Sequence, residues 1–341
     1  MSDQIDLAEL RAGFRDVLET EADADHVRRH VAGDALYDHA LTSTVASLGW
    51  AGLAIAEADG GLGLGLPALA VLYEELGRGP APLPLFPTLL AADALSEAPD
   101  RLRSAWLPRI AAGEIFAAYV PGAFEGDKMS GCIEHVLDGG AAELFVIGLE
   151  DGRCAAVPRG TIGLEVRPTP STDRTRSLAT LILDNVAIEP FSVGSSRLER
   201  HAALALACDS VGGADAILGK TVDYLNTRVQ FGQPIGKFQA LKHRVAEHKL
   251  RLEAARALTS HALGLEVADS RAVGMALLAQ AEAVAAYAVI AGDSVQLHGG
   301  IGFTWEQECH HYLKRAWLNR LLFGGETQAL DRAALLLAEA A

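Results

Sequence analysis

The sequence predicts a mainly α-helical protein with a small central β-domain. Three observations carry this reading: a helical pattern from Ile5 to Ala118, short apolar runs between turn residues from Tyr119 to Val193, and long Ala/Leu-rich segments beyond His201. The expected organisation is an N-terminal helical domain at 1–118, a middle β-domain at 119–195 and a C-terminal helical bundle at 196–341. A length of 341 residues exceeds what one hydrophobic core supports, about 250–300 residues, so several packed units are expected.

In the first segment, Leu7, Leu10, Phe14 and Leu18 recur at the spacing of one helix face. Val45, Leu48, Leu53 and Ile55 lead into a turn, Asp59-Gly-Gly-Leu-Gly-Leu-Gly65, and Pro67 suits the first turn of the next helix. That helix runs through Leu72-Tyr-Glu-Glu-Leu76 and is expected to stop at Gly77-Arg-Gly-Pro80. Another ends near Trp106-Leu-Pro-Arg-Ile110, closed by Gly113. The middle segment offers strands at Leu144-Phe-Val-Ile147, Cys154-Ala-Ala-Val157, Leu164-Glu-Val166 and Leu181-Ile-Leu183. Asp138-Gly-Gly140, Asp151-Gly152 and Pro168-Thr-Pro170 supply the turns between them. Segments 202–226, 239–268 and 271–298 then have few breakers and the lengths of an antiparallel bundle.

Half of the residues are hydrophobic, which excludes a disordered chain. A net charge of -15 argues against nucleic-acid or anionic-membrane partners, because phosphates would be repelled. Cys132, Cys154, Cys208 and Cys309 are scattered with no CxxC, so a reduced cytoplasmic protein without a zinc site is expected. The N-terminal MSDQIDLAEL has neither a basic n-region nor an apolar h-region, and no signal peptide is expected. No unbroken run of about 18 apolar residues occurs, and no membrane span is expected. His310-His311 lies near Glu306, Glu308 and Cys309, but adjacent histidines on a helix point apart, and no metal is expected. His243 and His248 share no helical face well and read as surface or interface residues. The glycines at 60–65 read as a helix-linking turn rather than a phosphate loop.

Two loops interrupt the C-terminal helices. In Arg228-Val-Gln-Phe-Gly-Gln-Pro-Ile-Gly-Lys-Phe-Gln239, an Arg ends one helix and glycines surround an aromatic before the next. Such a guanidinium can bind a pyrophosphate through paired hydrogen bonds, or it can simply offset the dipole at a helix C-terminus. In Gln296-Leu-His-Gly-Gly-Ile-Gly-Phe303, a helix ends in a glycine cluster that leaves amides and carbonyls for a neighbouring group, or that forms an ordinary C-cap.

Together, RxxFGxPIxxFQ followed about 60 residues later by QxxGGxG resembles the signature of acyl-CoA dehydrogenases. The stretches GWAGL, EADGGLGLGL, YEELGRG and Trp106-Leu-Pro-Arg-Ile-Ala-Ala-Gly-Glu114 resemble that family's helical domain in the right order. Asp173-Arg-Thr-Arg176 and Leu181-Ile-Leu-Asp-Asn-Val186 resemble the end of its β-domain, so the likeness covers about residues 5–335. It implies an N-terminal helical domain, a β-domain, a C-terminal four-helix bundle and FAD-dependent α,β-dehydrogenation of an acyl-CoA thioester, as in β-oxidation. In that reaction a carboxylate removes the α-proton while the β-hydrogen leaves as hydride to the flavin. Hydrogen bonds to the thioester oxygen stabilise the developing charge.

The chain departs from the family where the base belongs. The family carries it in a Tyr-Glu-Gly-Thr type loop, whereas here the region reads Lys314-Arg-Ala-Trp-Leu-Asn-Arg-Leu-Leu-Phe-Gly-Gly-Glu-Thr327. An ungapped alignment puts the base position on Phe323, and a one-residue shift puts it on Gly324. The alternative base position, on the first helix of the bundle, is Ala202. Glu326 is the nearby carboxylate, and it equally suits a helix start. Tyr119-Val-Pro-Gly-Ala-Phe-Glu-Gly-Asp127 stands where the family has Thr-Glu-Pro and Gly-Ser-Asp segments against the flavin ring, in a reduced β-domain.

In the family each FAD lies between two subunits, and this sequence keeps the residues that reach it from the neighbouring chain. These are Arg228, Gln230, Phe231, Ile235, Gln296, Gly299 and Gly300. The resemblance thus implies a short subunit that holds the ADP end of FAD in an α2β2 heterotetramer with two flavins. A second acyl-CoA dehydrogenase subunit would carry the base, an electron-transfer flavoprotein would accept electrons, and a bulky acyl-CoA from lipid or steroid catabolism would be the substrate. The alternatives are a self-sufficient homotetramer with a relocated base such as Glu326, and a structural subunit without flavin.

Overall fold

A computed structural model describes residues 6–122, 124 and 128–340. Among the described residues, six α-helices come first: α1 (Leu7–Glu21), α2 (Ala24–Ala32), α3 (His39–Ser47), α4 (Gly65–Arg78), α5 (Leu85–Leu95) and α6 (Asp100–Ala111). Seven strands follow: β1 (Ala117–Val120), β2 (Lys128–Leu137), β3 (Leu144–Gly148), β4 (Cys154–Pro158), β5 (Leu164–Thr169), β6 (Leu178–Ala187) and β7 (Pro190–Phe191). Beyond them lie α7 (Ser195–Thr227), a hairpin of β8 (Val229–Gln230) and β9 (Gln233–Pro234), α8 (Gln239–Gly264), α9 (Ala272–His298), α10 (Cys309–Asn319) and α11 (Gly325–Glu339). By internal packing the chain forms two compact units. One is built from Met1–Leu7, Arg29–Leu69 and Pro82–Glu199, the other from Ala8–Arg28, Ala70–Ala81 and Arg200–Ala341.

In the first unit, one sheet has the order β1-β3-β4-β7 and a second has the order β2-β6-β5. β3 lies parallel to β1 and antiparallel to β4, and both of its faces are covered. Leu144 and Val146 join a core with Ala91, Leu95, Leu107 and Ile110 of α5 and α6. Phe145 and Ile147 point the other way, into a core with Leu181, Leu183 and Val186 of β6. Two buried faces explain why β3 reads as an unbroken apolar run rather than an alternating one. α5 is apolar almost all round and buried to match. Its Thr88 hydroxyl donates to the Ala117 carbonyl at 2.9 Å and so ties the helix to β1. The sequence pattern did not mark β2: it pairs with β6 through two irregularities and is largely exposed, so no clean alternation survives.

In the second unit, α9 packs against α8, α10 and α11. α4 ends at Arg78, inside the Gly77-Arg-Gly-Pro80 stretch where a stop was expected. Gly77 is a contact residue as well: a Cβ built on it would lie 2.7 Å from the Asp209 carbonyl carbon of α7. Glu75 beside it is 1% exposed and receives Arg11 at 3.0 Å and Arg15 at 2.7 Å. α8 ends four residues before the expected boundary, at Gly264. The buried Arg200 donates to the carbonyls of Ala262 at 3.2 Å and Leu265 at 2.8 Å, satisfying groups that another helical turn would have used. His248 is buried rather than a surface residue, with Nε2 2.6 Å from Asp293. The rings of His310 and His311 do not point apart but lie 4.1 Å from each other, with Trp305 edge-on to both.

Ser195–Thr227 and Ala272–Phe303 are long and apolar enough on average to cross a membrane, although neither is an unbroken apolar run. Their apolar windows are 89% and 67% buried, as in core helices of a bundle.

Candidate functional site

The Arg228 loop begins where α7 ends. Val229 pairs with Pro234 and Gln230 with Gln233, which leaves Phe231-Gly232 as a two-residue turn. Both turn residues have positive φ, 54° at Phe231 and 80° at Gly232, the conformation that tight hairpins demand. Glycine adopts it freely, whereas a phenylalanine there is strained by about 1 kcal/mol or more. The strained ring is 90% exposed, with Phe238 edge-on at 6.1 Å. The Arg228 amide donates to Tyr224 O, and its carbonyl accepts from the Ile235 amide, each at 2.8 Å. These bonds fix the hairpin root. Among the described residues the exposed Arg228 guanidinium has no hydrogen-bond or ion-pair partner. Gln230 is exposed, and its amide group reaches only the Val229 carbonyl, at 2.8 Å.

The Gln296 loop begins where α9 ends. Gly299, with φ 66° and ψ -147°, occupies a region open essentially to glycine alone, and its amide closes on Gln296 O. Gln296, Gly299 and Gly300 are exposed, and a Cβ added to either glycine would meet nothing within 4 Å.

The structure brings the two loops together through a pair that the sequence reading missed. Tyr224, one turn before Arg228, stacks on His298 with ring centroids 4.3 Å apart and planes 21° apart. Its hydroxyl donates to the His298 carbonyl at 3.2 Å. His298 is buried, and its Nδ1 donates to Ser294 O at 2.8 Å. Burial lowers its pKa below the ordinary imidazole value. An aromatic four residues before Arg228 was the available signal, together with a histidine inside the glycine motif itself.

The expected base positions hold no acid. Ala202 is buried in α7. Phe323 sits in a left-handed conformation, φ 51°, ahead of two further positive-φ residues, Gly324 and Gly325. Glu326 opens α11 and is held through one carboxylate oxygen by Arg320, Nη2 at 2.6 Å and Nε at 2.9 Å. Of Tyr119–Asp127, positions Ala123, Glu125, Gly126 and Asp127 lie outside the described residues. The four cysteines are free, and burial pushes Cys154 and Cys309 up to about 12, so neither of these two offers a thiolate near neutral pH. Among the described residues no group of three or more His, Cys, Asp or Glu could hold a metal ion.

These residues suit the ADP part of a flavin. They offer an unpaired guanidinium and two side-chain amides, and glycine backbone that a ligand can approach without meeting side chains.

Residues 5–114 match the family model for the acyl-CoA dehydrogenase N-terminal domain, and residues 194–334 match that for the C-terminal domain. The chain is 35% identical over 307 residues to acyl-CoA dehydrogenase IpdE2 of Mycobacterium tuberculosis, covering 90% of this chain and 89% of that protein. It is 32% identical over 337 residues to IpdE2 of Mycolicibacterium smegmatis, covering 97% and 98%. Among solved structures it resembles the Tcur3481-Tcur3483 steroid ACAD G363A variant, with TM-score 0.89, 30% identity and 98% of each chain covered. The fold is shared with the ChsE4-ChsE5 complex from Mycobacterium tuberculosis, at TM-score 0.88, 23% identity and 99% coverage of each chain. The chain belongs to the acyl-CoA dehydrogenase family.

Proposed function

We propose that this chain is the base-lacking subunit of a heteromeric acyl-CoA dehydrogenase, and that it holds the ADP end of an FAD whose ring and catalytic base face a partner subunit. The observation that carries the proposal is a contrast within one chain. The Arg228 and Gln296 loops are intact and joined, whereas Phe323 and Ala202 stand where the proton acceptor belongs. Neither side chain can take a proton, and Glu326 is already engaged by Arg320. Arg228 would pair with the pyrophosphate, Gln230 and Gln296 would hydrogen-bond the nucleotide end, and Phe231 and Ile235 would supply apolar contact beside it. Gly299 and Gly300 would allow the backbone to come close. Bound FAD supplies an acceptor for the β-hydrogen of the acyl-CoA.

The division into 1–118, 119–195 and 196–341, an α2β2 assembly with two flavins, a cytoplasmic setting and an electron-transfer flavoprotein as acceptor belong to the same reading. The likeness to a steroid enzyme and to a two-subunit complex supports a partner subunit and a bulky, steroid-derived acyl-CoA.

The test is flavin absorbance near 450 nm per polypeptide. The chain alone is expected to purify nearly colourless and the co-expressed complex yellow. Arg228→Ala should strip flavin from the complex, and Glu326→Gln should leave turnover unchanged. One flavin per chain in the isolated protein, with turnover lost in Glu326→Gln, would instead establish a self-sufficient homo-oligomer.

A further inference from the structure

We propose that Tyr224 is a positioning residue that registers the Arg228 hairpin against the Gln296–Gly300 loop, so that the two grip the nucleotide as one unit. This rests on the flavin reading above and adds to it a residue that is neither a base position nor one of the seven residues assigned to the cofactor.

The case is geometric. Tyr224 is fixed at its backbone to the first loop, because its carbonyl accepts the Arg228 amide at 2.8 Å. It is fixed at its side chain to the second, through both the ring and the carbonyl of His298. That carbonyl belongs to the last residue of α9, where helical partners run out, and the Tyr224 hydroxyl satisfies it. The imidazole cannot swing away, because Nδ1 is tied to Ser294 O and the ring is buried. The next residue is Gly299, where the chain turns sharply outward. A displacement at His298 is therefore delivered directly to Gly299 and Gly300, and a displacement at Tyr224 to Arg228. One half-buried side chain sets the relation between a cationic group and an open glycine face on two different helix ends.

Two groups that bind one ligand cooperatively must be held at the spacing the ligand requires, and loosening the spacer weakens both together. A tyrosine serving only as packing would lower stability without linking the two loops in binding.

The experiment is a double-mutant cycle on the full chain, in the flavin-bearing assembly in which it purifies, stripped of cofactor and titrated with FAD. Tyr224→Phe keeps the stacked ring and removes one hydrogen bond. It is expected to raise the FAD dissociation constant about fivefold while the melting temperature of the apoprotein stays put. Tyr224→Ala removes both contacts and is expected to weaken binding by about tenfold or more. In an Arg228→Ala background, Tyr224→Phe should add less than about twofold, because the contact it positions is already gone. An unchanged dissociation constant in Tyr224→Phe, or the same fold-change in both backgrounds, overturns the positioning role. If Arg228→Ala itself leaves FAD binding intact, the flavin reading fails first, and the positioning role falls with it.

Discussion

Gly212→Ala is expected to be severely destabilising, although alanine is the better helix former. α7 meets the end of α4 backbone to backbone. A Cβ on Gly212 would lie 2.8 Å from the Glu74 carbonyl carbon and 3.2 Å from the Arg78 nitrogen, and it would reach the Glu74 oxygen sooner still. Gly77 is placed reciprocally, 2.7 Å from the Asp209 carbonyl carbon and 2.9 Å from its Cα. Carbon atoms pack at about 3.5–4.0 Å, so the added methyl overlaps by close to 1 Å. The atoms in the way are main chain and cannot rotate aside. The helices must part along a seam that also holds Glu75, 1% exposed, and Asp209, 0% exposed, among their partners. Overpacking costs about 1–3 kcal/mol, and this seam belongs at the upper end or slightly beyond. At roughly 2 °C per kcal/mol for a protein of this size, the melting temperature should fall by about 6 °C. Gly219 on the same helix is the control, since nothing lies within 4 Å of its Cβ. Gly219→Ala should be neutral or stabilise by up to about 1 kcal/mol, the gain in helix propensity. Calorimetric melts of the two variants decide the matter: equal melting temperatures would refute the close-contact reading.

Two further perturbations follow from buried charge. Asp209→Ala removes the carboxylate that takes Asn319 at 2.6 Å and faces Arg315 at 3.6 Å, with Arg315 only 1% exposed. Removing this carboxylate from a buried guanidinium should cost about 3–5 kcal/mol in urea unfolding, and Arg315→Met in the same chain should recover part of it. His298 and His310 both have lowered folded pKa values, chiefly through burial, so their stabilising contribution is complete above the unfolded value near 6.5. It is lost as pH falls below that value, because the unfolded chain takes up protons first. Melting temperature should drop between about pH 7 and pH 5.5, and His310→Phe should flatten the drop.

Local features were legible in the sequence. The run Leu144–Ile147 announced a strand covered on both faces. The turn at Asp59–Gly65 showed itself because Gly60, Gly63 and Gly65 all carry positive φ. The assignment of Phe323 and Ala202 to the expected base positions used residue identities alone. What escaped was decided by distant partners. The close contact at Gly77 cannot be read until Asp209, far along the chain, is placed against it. The early end of α8 depends on Arg200, more than 60 residues upstream. Within the site, each loop could be read singly from its glycines, but Tyr224 and His298 are 74 residues apart and no local pattern joins them.

The second compact unit is assembled from three separated pieces of chain, Ala8–Arg28, Ala70–Ala81 and Arg200–Ala341. That arrangement sets an order of events on the ribosome. At about 5–20 residues per second, roughly 10–35 s pass between the emergence of Arg28 and that of Arg200. For that interval α1, whose Phe14 and Leu18 end up buried, has only the Ala70–Ala81 piece of its unit to pack against. The first unit can condense meanwhile, but the second is complete only once Arg200–Ala341 has emerged. Truncation anywhere before α9 should therefore yield insoluble product rather than a smaller folded protein, because α8, α10 and α11 all pack on α9.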